Sequence, residues 1–214
     1  MSLFEHGDTA KRVALPQKEQ AVNVQHINLK IYLENPETVK LEEFAAVFNN
    51  WIQKQRLEEL LIDVADYLHV HHGPGIMLIG HEADYSLDHR AGRLGLLYNR
   101  KEQLDGTTQE KLAQAARAAL LAAQILEKES GLQFNGSEVQ IVINDRLLVP
   151  NTAETFAALE PDLRAFFDRL YTGAEYSLTH NDNSRERFTV NIKAPADFDV
   201  ETLLKNLSAE TAHA

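Results

Sequence analysis

The chain has 214 residues, with 21 lysines and arginines against 32 aspartates and glutamates, a formal net charge of −11 with histidine neutral. That balance argues against nucleic acid as the main partner, and 44 % hydrophobic with 25 % charged residues is a globular composition, not a disordered, collagenous or coiled-coil one. With no cysteine, thiol nucleophiles, cysteine-ligated metal centres and disulfides are excluded, and a cytoplasmic protein is expected.

Residues 1–20 carry Glu5, Asp8, Lys11, Arg12, Pro16 and Lys18 without the apolar run of a secretory signal, and read as a flexible arm. Ile27, Leu29, Ile31 and Leu33 alternate with Asn28, Lys30 and Tyr32, the period of a half-buried strand. Val22 and Val24 fall on the opposite parity, so the strand either buries both faces in turn or shifts phase near Gln25 and His26. Asn35-Pro36 turns the chain, and Leu41, Phe44, Ala45, Phe48, Trp51 and Ile52 place one apolar stripe on a helix over about 41–55. Strands are predicted at 60–67, 75–80 and 93–101, the first two joined by a His-Gly-Pro-Gly turn.

The clearest helix spans 108–130, opened by the capping pair Thr107 and Glu110 and closed by Gly131. From Ala115 to Leu126 only Arg117 and Gln124 are polar. The run falls short of the roughly 20 residues that cross a bilayer, so no membrane span is expected. Protein must cover most of it, either this chain as a central core helix or a second copy approaching Ala116, Ala119 and Ala123 in a homo-oligomer. The second half reads as a strand at 138–144, a helix opened by Asn151 that Pro161 kinks or restarts, strands at 175–180 and 187–193, a helix near 200–207 and a flexible tail at 209–214. In its last two strands Tyr176, Leu178, Phe188, Val190 and Ile192 face one way. Ser177, Thr179, Thr189, Asn191 and Lys193 face the other, toward solvent or something polar. The expected fold is α+β: mostly antiparallel sheet with helices on one face, as two ferredoxin-like βαββ units (21–131 and 132–208) sharing the long alanine-rich helix.

Five of nine histidines, His69, His71, His72, His81 and His89, fall within 21 residues, together with Asp66, Glu82, Asp84 and Asp88. Imidazole and carboxylate are the ligands first-row metals take where thiolate is missing. His69 to His72 sit at a hairpin turn, a strand length from His81. The better candidate is 81–93, read as a long loop with two imidazoles, three carboxylates and the cations Arg90 and Arg93. HExxH fails there, because Tyr85 stands at the second histidine position. Gly75 and Gly80 have P-loop spacing without its lysine, and no nucleophile elbow or dinucleotide fingerprint occurs. The expected function is a binding or regulatory module that presents 81–93 to a small ligand or protein partner, an anionic ligand being held by Arg90 and Arg93. The alternative is a metal-dependent enzyme, with a divalent ion as cofactor on His81, Asp84, Asp88 and His89 and with Glu82 as general base.

Overall fold

A computed structural model describes residues 22–71 and 73–209; the expected arm, His72 and residues 210–214 lie outside them. The strands are β1 (Ile27–Leu33), β2 (Leu61–Asp66), β3 (Ile76–Gly80), β4 (Ala83–Asp88), β5 (Gly95–Arg100), β6 (Phe134–Ile143), β7 (Ser177–His180) and β8 (Phe188–Lys193). The α-helices are α1 (Phe44–Lys54), α2 (Thr108–Ser130), α3 (Ala153–Leu170) and α4 (Val200–Ser208). The fold is thus α+β, with every strand in one antiparallel sheet of order β2-β3-β4-β5-β1-β6-β8-β7. The two halves join edge to edge where β1 pairs with β6.

Strand periodicity gives the sheet two unlike faces. One row across it reads Val64, Leu78, Tyr85, Tyr98, Leu29, Ile141, Val190 and His180. The helices cover this apolar face: α1 packs on β2 and β3, α2 on β1 and β5, α4 on β6, and α3 against α2 and α4. Phe156 of α3 stacks on the His180 ring with centroids 4.9 Å apart. Trp51 and Phe48 meet edge to face in the core, and the Trp51 indole N–H donates to Glu129 at 2.9 Å, so the buried ring keeps its polar atom satisfied. None of the described helices is long and apolar enough to cross a membrane.

Several sequence expectations change in the structure. The phase shift before β1 is real: His26 takes φ +51°, and beyond it all seven residues of β1 are buried, on both faces. Within the expected 81–93 loop, residues 83–88 form a strand. Only His81 and Glu82 turn the β3–β4 hairpin, and β4 is buried along its whole length. Ala83, Tyr85 and Leu87 alternate there with Asp84, Ser86 and Asp88, a period that the charges disguised. The cap of α3 is Thr152, which accepts from Thr155 N–H. Asn151 instead donates to the carbonyls of Asn181 and Asn183 and meets His180 Nε2 at 2.8 Å, tying down the β7–β8 turn. The same helix runs through Pro161 without restarting, although proline has no N–H to donate to the Ala157 carbonyl.

The long helix keeps its predicted ends, with the Thr107–Glu110 capping box and Gly131 at φ +69°. Ala116, Ala119 and Ala123 are buried in the single chain, and the helices that approach α2 are its own α3 and α4. The small-residue argument for a homo-oligomer therefore falls: alanine here permits close packing inside one core.

Candidate functional site

The other face of the sheet is largely polar and carries none of the described α-helices. Its middle row reads Ala65, Met77, Ser86, Leu97, Lys30, Gln140, Asn191 and Thr179, one residue from each strand. Lys30, at the centre, is 3 % exposed, and its Nζ donates to Asp88 Oδ1 at 2.6 Å. Gly95 makes that reach possible. A Cβ there would lie 3.1 Å from Lys30 Cε and 2.4 Å from the Ile31 carbonyl oxygen, so the lysine stem crosses β5 only where a side chain is missing. Burial pulls the Lys30 pKa down while Asp88 raises it.

Around this pair lies a corner built from β4, β6 and the β4–β5 connection. Arg90 Nε stands 3.2 Å from Asp88 Oδ2, and the Arg90 backbone N–H donates to Asp88 Oδ1 at 3.0 Å. Arg93 bonds Glu138 and lays its guanidinium 3.7 Å from the centre of the Tyr32 ring, a cation–π contact that fixes its plane. The Glu138 carboxyl is held below its ordinary range chiefly by that arginine. A bulge in β6, where Ile31 pairs with Val139 but Tyr32 with Asn135, sets Glu138 opposite Lys193, whose Nζ lies 3.9 Å from it. Beside β6 and β8, Arg187 donates to Asn144, and burial with the neighbouring charges of Arg90 and Arg146 lowers its pKa. At the other end Lys101 reaches Asp84 at 2.7 Å. Next to Asp84 in the same row, Asn99 Oδ1 and Asn28 Oδ1 are buried without a hydrogen-bond partner among the described residues.

Six cations (Lys30, Arg90, Arg93, Lys101, Arg187 and Lys193) thus meet three carboxylates (Asp84, Asp88 and Glu138) in and beside the central strands. In a chain of net charge −11 this is a local inversion of sign. Arg90 and Arg93 keep 44 % and 47 % of their side chains exposed, and a guanidinium has five donors, so each has capacity beyond the carboxylate it touches.

The four residues expected to share a metal are not brought together. His81 and His89 stand at opposite ends of β4, about 25 Å apart at 3.3 Å per residue, and both are exposed. Asp84 and Asp88 share the polar face, each already facing a lysine. Among the described residues no three histidine, aspartate or glutamate side chains gather closely enough to hold one ion. Glu82 points away from this corner, to Arg100 at 2.9 Å. His89 instead returns to the β2–β3 turn, where it lines a hollow of about 320 Å³ with His71, Tyr67 and Leu41.

Sequence reasoning placed Arg90 and Arg93 in the candidate site but missed Lys30, Tyr32, Glu138 and Arg187. The usable signal was a lysine in the middle of a strand whose other parity is wholly aliphatic, since such a residue must find a partner across the sheet. No protein-family model, no curated protein and no solved structure matches the chain.

Proposed function

We propose that the protein is a binding module that takes a small anionic ligand, a carboxylate or phosphate, at the corner formed by Arg90, Arg93 and Lys193. The observation that carries this reading is the cation excess on the polar face of an acidic chain, with two half-exposed guanidiniums at its rim. Asp88 and Glu138 hold those arginines in position, and their remaining donors suit the forked geometry of a carboxylate or phosphate. The metal-dependent alternative draws no support from the separated positions of His81, Asp84, Asp88 and His89. We also read the two halves as related ferredoxin-like βαββ units. In support, β8 lies between β6 and β7 as β3, β4 and β5 lie between β1 and β2, the first unit being enlarged by a hairpin.

Calorimetric titration with succinate, citrate and inorganic phosphate tests the proposal. At least one should bind, more weakly as salt rises, and the Arg90→Ala/Arg93→Ala variant should bind it at least about tenfold more weakly, a loss of about 1.4 kcal/mol. No binding by any of the three, or equal binding by the variant, overturns it.

A further inference from the structure

On the helix side of the sheet, a cleft of about 480 Å³ opens between the chain that enters β2 and the outer side of α2. Its apolar wall is Leu57, Leu60, Leu104, Ala118 and Leu121, and Leu60 is 59 % exposed at its rim. Its polar end is built around Glu59. Tyr98 OH donates to Glu59 Oε1 at 3.2 Å and is itself held by Gln114 Nε2 at 2.9 Å. The Tyr85 ring meets Tyr98 edge to face with centroids 5.2 Å apart, and its hydroxyl is the carboxyl's other near neighbour.

Charge in the cleft is matched at every group but one. Arg100 pairs with Glu82 at 2.9 Å and donates to the Glu102 carbonyl, and Arg117 faces Glu58 at 3.6 Å. Among the described residues Glu59 has no cation within ion-pair distance, and its Oε2 is buried without a well-formed hydrogen bond, the Tyr85 hydroxyl lying nearby. Such an atom costs free energy until a donor reaches it. The terminal torsion of a glutamate is soft, so Oε2 can turn toward a donor in the cleft without backbone movement. Of the ligands that could supply the donor, a carboxylate or phosphate would be repelled by Glu59, Glu58 and Glu82. A neutral hydroxyl would satisfy the oxygen but leave its charge unmatched. A protonated amine does both.

We propose that this cleft is a second binding site, distinct from the polar face, for an apolar organic amine whose ammonium meets Glu59 and whose hydrocarbon lies along Leu57, Leu60, Ala118 and Leu121. The volume lies within the range of small-molecule sites, and the lining has their usual make-up, an apolar wall with a few convergent polar groups.

The test is an amide chemical-shift titration of the full chain with hexylamine, 1-hexanol and hexanoate as probes. Hexylamine is expected to shift the amides of Leu60, Tyr98, Gln114, Ala118 and Leu121, 1-hexanol at least about tenfold more weakly, and hexanoate not at all. Glu59→Gln is nearly isosteric and should reduce hexylamine affinity by at least about tenfold, to that of the alcohol. Ala118→Phe, at a half-buried position, fills the cleft and should abolish binding of both. The proposal is overturned if hexanoate binds as well as hexylamine, if excess hexylamine leaves these amides unmoved, or if either variant binds it unchanged.

Discussion

The two faces of the one sheet use the same strands and opposite physics. On the helix face, β1 contributes Ile27, Leu29, Ile31 and Leu33 to a continuous apolar core, where stabilisation scales with area and has no preferred direction. On the other, the same strand contributes Asn28 and Lys30, each 3 % exposed, and Tyr32. There the charged groups depend on particular partners: Lys30 on Asp88, Arg93 on Glu138 and the Tyr32 ring, and Glu138 on Arg93 and Lys193. An apolar face can be altered by small steps, but a charged one fails at once when half of a pair is removed. A face so dependent on partners is a poor way to gain stability. The proposed anion site would account for its retention.

That contrast can be broken first at the core. Ala119→Glu places a charge at a position with 0 % exposure between α2 and its neighbours, and it should abolish folding, seen as loss of the cooperative thermal transition. A folded monomer released from a larger assembly would instead mean that α2 faces a second copy.

The next largest effect is expected on the polar face. Asp88→Ala leaves the Lys30 ammonium buried and unpaired, and should cost about 3–5 kcal/mol in denaturant unfolding. Lys30→Met with Asp88→Leu should recover most of that loss, because the pair contributes little beyond an apolar replacement of similar volume. A double variant as unstable as the single one would contradict this view of the face.

A smaller effect concerns pH. Burial holds the Glu59 carboxyl above its ordinary range, with Tyr85, Tyr98 and Arg100 opposing the shift and Glu82 adding to it. Relative to the unfolded chain the fold without a bound cation therefore shifts Glu59 toward protonation, and this contribution is lost as pH rises through the raised titration. Glu59→Gln should show a melting temperature that gains on the wild type from mildly acidic to neutral pH. A constant gap would remove Glu59 as the cause.

Much of this arrangement was legible in the sequence. The class, the ends of α2 and the two faces of β7 and β8 follow from period and capping, which are local, whereas period left open whether the chain before β1 shifts phase or buries both faces. What stayed hidden was β4, because Asp84, Ser86 and Asp88 looked like solvent-exposed residues. Their burial depends on Lys101, Lys30 and Arg90, which reach them only once the strands are in register. The cleft was hidden for the same reason: Glu59, Tyr85, Tyr98 and Gln114 lie on four separate segments, and no spacing along the chain unites them. Arg90 and Arg93 were legible as a pair of neighbouring cations. Their partners Asp88 and Glu138 were only half so, since 45 residues separate Arg93 from Glu138.

The most direct measurement of the two-face account is an amide chemical-shift titration of the wild-type chain with succinate, citrate and inorganic phosphate in turn. The account predicts that perturbations converge on Arg90, Arg93, Glu138 and Lys193, and leave Leu60, Ala118 and Leu121 unmoved. Perturbations centred on the helix face, or none at all, would contradict it.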